Sequence, residues 1–235
     1  MKRIGIFAYN FEHKKTHEGL IKLFLHGYQP TCILAANKVK LNFYMSKIRE
    51  LPSGLTYHHP KNIAKRLNIP YHVVDHKSEQ CIKLINEYKL DLGIILGARI
   101  LREDVINSFP IGILNMHPGL LPENRGLDNT KWAIINNIRQ GVTTHLIDKY
   151  IDRGMLIDRK SIDVKHDDTL IDVFMRLQSL ELNMMIDYLD KLYNDEEVNY
   201  KLLDKGNRYN SVPWELEKNL LKTFEEYKVK YKSIK

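Results

Sequence analysis

The chain has 235 residues, 43% of them hydrophobic and 28% charged, with a formal net charge of +7. That is enough for one substantial domain of ordinary soluble composition, and no apolar run approaches the ~20 residues that cross a bilayer as a helix. The surplus lysines are scattered through helical segments and the tail without an aromatic-bearing RNA-binding signature, so the charge alone points neither to nucleic acid nor to a membrane surface.

KRIGIFAY (2–9) predicts a buried first strand. Its basic start and short apolar stretch do not make a secretory signal, and the protein is expected to be cytoplasmic. THEGLIKLFLHG (16–27) predicts a helix stopped by Gly27, and TCILAAN (31–37) a second strand. A polar, irregular stretch follows from Lys38 to about Pro60, with LPSG (51–54) as a turn signal. NIAKRLN (62–68) reads as a helix, YHVVD (71–75) as a strand, and SEQCIKLINEYK (78–89) as a helix capped by Ser78. LDLGIILGA (90–98) is apolar throughout, the mark of a strand buried on both faces. REDVINSF (102–109) is a short helix halted by Pro110, and GILNMH (112–117) another buried strand. Beyond 160 the period changes: residues 169–193 predict one long helix with Leu170, Val173, Phe174, Leu177, Leu180, Met184 and Met185 on its inner face, and 194–235 a polar tail ending in a charged helix. Cys32 and Cys81 lie far apart in apolar segments and read as reduced core thiols.

Strands alternating with helices predict an α/β fold: a Rossmann-like, mostly parallel sheet with helices on both faces, plus a small helical C-terminal extension. In such sheets ligands bind beyond the carboxyl ends of the strands. Asn115 and His117 fall at such an end, two residues apart, so their side chains point to one side. Asp152 returns from a separate loop in GVTTHLIDKYIDRGMLI (141–157). A carboxamide, an imidazole and a carboxylate supply an oxyanion donor, a proton-transfer group and an anion that orients it. The set suits acyl-type transfer to an amine without a metal or a covalent nucleophile. Each residue alone has a plainer explanation: Asn115 as a strand-end turn residue, His117 as a satisfied core histidine, Asp152 as a turn initiator. His58 with His59, and His72 with His76, lack a clear third and fourth ligand, so no metal site is expected.

Three blocks, GARIL (97–101), NMHPGLLPENRG (115–126) and GVTTHLIDKYIDRG (141–154), resemble the folate-dependent formyltransferases. The resemblance covers residues 90–165 well and the first strands loosely. It implies that Asn115, His117 and Asp152 are catalytic, and the (I/L)-D-x-G context favours Asp152 over its rival Asp148. It implies 10-formyltetrahydrofolate as co-substrate and a primary amine as acceptor. Gly97, Ala98, Arg99, Ile100 and Leu101 become the expected wall for the flat folate ring, with Asp148 beside it. The expected division is a formyltransferase catalytic domain over 1–165 and a C-terminal helix and charged tail over 166–235, packed on or extending it. The resemblance also allows a homodimer through the C-terminal region.

Departures from the family pattern bear on the acceptor. The purine-pathway enzyme follows its first strand with a Gly/Ser-rich phosphate loop, whereas here the segment is AYNFEHKKTHEG (8–19). The methionyl-tRNA enzyme carries an extra C-terminal barrel, and the residues after 165 are too few for one. Formyltetrahydrofolate hydrolase shares the trio but adds an N-terminal regulatory domain for which the chain has no segment. The expected acceptor is therefore the amine of a dTDP-linked amino-deoxysugar for surface polysaccharide such as lipopolysaccharide O-antigen, with no nucleic-acid or membrane partner. Tyr9, Asn10, Lys14 and Arg125 are the candidate acceptor contacts; Tyr9, Phe11, Tyr44 or Trp214 would stack on a base and Lys14, Lys15 or Arg125 would meet a pyrophosphate, each equally explicable as packing or solvation. His145, on GVTTHLID, sits near the centre with a structural role at least as plausible. The competing readings are glycinamide ribonucleotide as acceptor, a non-catalytic folate- or nucleotide-binding module, and a metal-dependent hydrolase using His117, His145, Asp148 and Asp152.

Overall fold

Continuous apolar runs demand cover on both faces, and in the computed structural model they receive it. The structure describes residues 2–40, 44, 46–48 and 50–231. The first half of the chain alternates β1 (Ile4–Tyr9), α1 (Lys14–Leu25), β2 (Cys32–Ala36), α2 (Pro60–Arg66), β3 (Tyr71–Val73), α3 (Glu79–Glu87), β4 (Leu92–Ile95), α4 (Glu103–Ile106) and β5 (Gly112–His117). The second half adds β6 (Arg125–Gly126), α5 (Asn129–Ile135), β7 (Gly141–Ile147), β8 (Gly154–Ser161), α6 (Leu170–Tyr193), β9 (Lys201–Leu202), β10 (Arg208–Tyr209), α7 (Trp214–Glu217) and α8 (Leu220–Tyr231).

One eight-stranded sheet runs β3-β2-β1-β4-β5-β7-β8-β9. Its first five strands are parallel, and the last three return antiparallel. Strand alternation sorts β1 between two cores. Ile4, Ile6 and Ala8 join Leu20 and Leu23 of α1 and Val173, Leu177 and Met185 of α6 on one face. Phe7 joins Leu84 and Ile85 of α3 and Val105 and Phe109 on the other. Each fully buried aliphatic side chain contributes roughly 1.5–3 kcal/mol, so these two layers fix where the strand ends emerge.

The element bounds differ from the sequence reading for local reasons. α1 starts at Lys14 because the side chain of His13 caps it, accepting from the Thr16 N–H. α2 starts at Pro60, whose missing N–H costs nothing in a first turn. The apolar run 90–98 ends as a strand at Ile95. At Gly97 a Cβ would sit 2.8 Å from the Tyr9 ring, so the wall that follows depends on a residue without one. The tail folds into more than a helix. β9 extends the main sheet along β8, and β10 pairs in parallel with β6, Arg208 opposite Arg125 and Tyr209 opposite Gly126. Glu217 of α7 is buried and bonded to Ser46, Tyr44 (2.7 Å) and Lys131 (3.2 Å), while Leu220, Phe224 and Tyr227 of α8 are buried.

Candidate active site

Ile113, Asn115 and His117 share one face of β5, and the strand changes from apolar to polar as it leaves the core. Its neighbour β7 lies antiparallel, placing His145 directly across from Asn115 and Thr143 across from His117. β7 and β8 are joined by the loop carrying Asp148 and Asp152, and Asp152 holds a left-handed backbone at φ +48°. Short polar residues reach that region more readily than others.

Four side chains converge here. His117 Nδ1 lies 3.4 Å from Asp152 Oδ1. The other oxygen of Asp152 accepts the Gly126 N–H at 2.7 Å. His117 Nε2 lies 2.8 Å from the Asn124 carbonyl and 2.7 Å from Asn129 Nδ2. Asn115 Nδ2 lies 3.1 Å from His145 Nε2, and His145 Nδ1 lies 3.0 Å from the Arg153 carbonyl. A carbonyl only accepts, so His145 carries its proton on Nδ1 and its Nε2 must accept. The Asn115 amide therefore turns its NH2 toward His145, leaving its second N–H available.

Electrostatics divide the two histidines. Burial pulls both down. At His117 the Asp152 carboxylate and the Asn124 carbonyl outweigh burial and raise the imidazole above its ordinary value. At His145 the nearby His117 charge adds to burial and lowers it to about 4. Burial also opposes ionisation of Asp152, yet His117, His145 and the Gly126 N–H bring it down to about 2. Below the elevated His117 value the site thus holds an imidazolium paired with a carboxylate, beside an imidazole that stays neutral down to about pH 4.

A cavity of about 430 Å³ opens against this cluster. Asn115 and Asp152 form part of its wall, together with Tyr9, Ala98, Arg99, Ile100, Leu101, Asp148, Arg208 and Tyr209. Ile95, Ile106, Leu127, Ile147 and Ile151 make much of the remaining lining apolar. Tyr9 is fixed by its hydroxyl bond to the Ala98 carbonyl, 2.9 Å, and stacks on Phe11. A larger depression of about 600 Å³ beside α1 and α2 is lined by Ile21, His58, Asn62, Ile63 and Lys65 and touches none of these groups.

The structure brings the trio together with the 98–101 wall, Asp148 and Tyr9. Gly97 lies immediately behind that wall, and His117 sits behind Asp152 at 4% exposure. Other candidates are spent elsewhere. Asn10 bonds Asn37 and Tyr71. Lys14 is buried against Glu18 at 2.5 Å, and Lys15 ties the Met116 carbonyl to Glu181. Arg125 is buried, donating to the Ile151 carbonyl at 2.5 Å and to that of Lys205. Tyr44 bonds Glu217, and Trp214 packs under Lys47. Sequence reasoning left the role of His145 open and missed Arg208 and Tyr209; the period-two pattern of 141–147 contained the signal for the first. Among the described residues no group of three His, Cys, Asp or Glu side chains is placed to hold a metal ion, and no helix is long and apolar enough to cross a membrane.

The family model described as "Formyl transferase" matches residues 43–189. A methionyl-tRNA formyltransferase from Bacteroides thetaiotaomicron is 32% identical over 120 residues, which is 51% of this chain and 37% of that protein. The chain thus spans well under half the length of this curated relative. Among solved structures, a sugar N-formyltransferase from a Shewanella species superposes with TM-score 0.59 at 24% identity, covering 90% of this chain and 77% of that one. An N-formyltransferase from Helicobacter canadensis, crystallised with folinic acid and dTDP-3-aminofucose, gives 0.63 at 17% identity, covering 90% and 71%. A phosphoribosylglycinamide formyltransferase from Anaplasma phagocytophilum gives 0.65 at 19% identity, covering 90% and 99%. Likeness at these identities establishes the fold.

Proposed function

The chain belongs to the formyl transferase family, and we propose that it moves a formyl group from 10-formyltetrahydrofolate to a primary amine. The observation that carries this reading is the cavity wall: an apolar face at 98–101, fit for a flat ring, meets Asn115 and Asp152 in one space. In the proposed reaction the folate lies against that face with its N10-formyl group at Asn115. The acceptor nitrogen attacks the formyl carbon, and the carbonyl electron pair moves onto oxygen. The second N–H of Asn115 stabilises that oxyanion, and the His117 imidazolium, its Nδ1 on Asp152 and its Nε2 on the Asn124 carbonyl, adds positive charge behind it. Asp152 keeps His117 protonated and orders the water that carries a proton from the incoming nitrogen to N10. The carbon–N10 bond then breaks, releasing tetrahydrofolate and the formamide.

For the acceptor we favour an amino sugar carried on a nucleotide. The segment after β1 places no glycine cluster at the start of α1, which disfavours a ribose-phosphate grip made of backbone amides. The sugar N-formyltransferases among the structural neighbours support the same choice. The curated relatives support a second reading, with aminoacyl-tRNA as acceptor. We also propose that residues 166–235 extend the catalytic domain, in keeping with β9, β10 and α8 packing on it.

One experiment separates the readings. The protein is incubated with 10-formyltetrahydrofolate and, in turn, dTDP-linked amino sugars, glycinamide ribonucleotide and methionyl-tRNA, with release of tetrahydrofolate followed by absorbance. Turnover with an amino sugar is the expected result. Turnover only with methionyl-tRNA or the ribonucleotide overturns the acceptor, and none with any amine overturns the formyl-transfer reading.

A further inference from the structure

The Nε2 edge of His117 faces two groups that ask opposite things of it. Nε2 lies 2.8 Å from the Asn124 carbonyl oxygen and 2.7 Å from Asn129 Nδ2, and those two atoms lie 2.8 Å from each other. A carbonyl only accepts, so Asn129 must turn its NH2, not its oxygen, into this triangle. The clasp is reciprocal, because Asn124 Nδ2 donates to the Asn129 carbonyl at 2.8 Å. His117, Asn124 and Asn129 are nearly out of solvent, at 4%, 1% and 5% exposure. Gly119 covers the triangle with bare backbone: a Cβ there would stand 2.7 Å from the Asn124 oxygen and 3.0 Å from both nitrogens.

Nε2 carries either a proton or a lone pair, so only one of its two edges is a hydrogen bond at a time. In the imidazolium it donates to the Asn124 carbonyl, and the Asn129 N–H stands against another donor. In the neutral ring with its proton on Nδ1, facing Asp152, Nε2 accepts from Asn129 instead. A hydrogen bond made only to the neutral form opposes charging, and away from water such a conflict keeps most of its strength. Asn129 therefore pulls against the Asn124 carbonyl.

The charged and titratable neighbours come from other elements. Asp152 of the β7–β8 loop meets Nδ1 at 3.4 Å, and His145 stands nearby on β7. Glu181 of α6 adds to the pull of Asp152, although Lys15 of α1 pairs with it at 2.5 Å. Arg125 of β6 acts on Asp152 rather than on the ring. Among the described residues none of these bonds Nε2, which is left to the two asparagines. Resting on the formyl-transfer reading above, we propose that Asn129 is a positioning residue for His117: it takes over Nε2 from the Asn124 carbonyl when the ring loses its proton, holds the imidazole in place in both states, and sets the upper pH limit of the activity. Asn129 does not line the cavity and acts only through His117. Removing its bond should move the His117 midpoint up by roughly 0.5 to 1 pH unit, about a three- to tenfold change in proton affinity.

Nitrogen NMR of the full chain with isotope-labelled histidine follows His117 without any turnover, the signal being assigned by its loss in His117→Gln. Above its midpoint the neutral ring should carry its proton on Nδ1, with Nε2 shifted upfield as a hydrogen-bond acceptor. A proton on Nε2, or an unshifted Nε2, overturns the proposal with no variant needed. Asn129→Ala should raise the midpoint by the amount above, and so should Asn129→Ser, whose hydroxyl falls short of Nε2. In the turnover assay the alkaline limb of kcat/KM should rise by the same amount, with the KM for folate unchanged. An unmoved or lowered midpoint in either folded variant overturns the proposal while leaving formyl transfer intact, as does a raised midpoint with an unmoved alkaline limb. A midpoint that rises in a protein that formylates no amine overturns the formyl-transfer reading instead.

Discussion

β1, β4 and their exit turns reach the cleft mainly with Tyr9, Ile95, Ala98, Ile100 and Leu101, Arg99 being their one charge, whereas the β7–β8 hairpin reaches it with the carboxylates of Asp148 and Asp152 and holds His145 behind Asn115. β1 and β4 are buried on both faces and cannot place a charge within the strand without burying it. The antiparallel hairpin lies at the side of the sheet that turns back toward solvent, and it carries the titratable groups. β5 is the seam: the face that carries Ile113 turns polar at Asn115 and His117, while Met116 on the other face stays in the core. The contrast teaches that most of the shape comes from one half and the carboxylates from the other, so substitutions in the two halves should alter different kinetic constants.

The sharpest break is Asp152→Asn. It removes the anion that holds His117 above its ordinary pKa, while the amide oxygen that remains can still accept the Gly126 N–H. Under the proposed mechanism kcat should fall about 10²–10⁴-fold with folinic acid binding retained. A variant with near-normal kcat would transfer the role to Asp148. In the parent, kcat/KM should decline as pH rises through the elevated His117 value, because the imidazolium is the required form.

His145→Phe comes next. Loss of its Nε2 frees the Asn115 amide to rotate, and kcat should drop roughly 10- to 100-fold while the KM for folate changes little. Stability provides a second readout. His145 titrates at about 4 when folded, below its ordinary 6.5, so the unfolded chain binds more protons between those values. Its contribution is present above pH 6.5 and is lost as pH falls through 4, by roughly 3 kcal/mol. Urea unfolding at pH 4.5 and 7 should show that loss in the parent and a smaller one in the variant. Asp152, lowered to about 2, adds stability above pH 3.8 that disappears only below it. An unchanged pH response in His145→Phe would assign the acid sensitivity to other groups.

The smallest effect belongs to the apolar wall. Ile100 is exposed, so Ile100→Ala leaves the core intact. It should weaken folate binding by about fivefold, from roughly 1 kcal/mol of lost apolar contact, without touching kcat. A change in kcat instead would erase the distinction between the two halves.

Much of this was legible in the sequence because it was local. Runs such as 90–98 announce doubly covered strands, and Asn115 and His117 share a face by alternation alone. The bond between His145 and Asn115 needed the strand pairing, which periodicity does not specify. Arg208 and Tyr209 were invisible for a different reason: a two-residue strand has no period, and its partner lies more than eighty positions earlier. Arg125 misled in the opposite sense, since its charge suggested a ligand while its donors close the Ile151 and Lys205 carbonyls.

Gly126 touches both ends of this arrangement. Its N–H holds Asp152 at 2.7 Å, its backbone stands at φ +107°, and an added Cβ would lie 2.0 Å from the Tyr209 carbonyl oxygen. One peptide unit thus joins the Asp152 carboxylate to the tail strand. In thermodynamic terms the two are linked, and linkage is reciprocal. Whatever free energy the tail gains when the carboxylate is correctly seated, the carboxylate gains when the tail is docked.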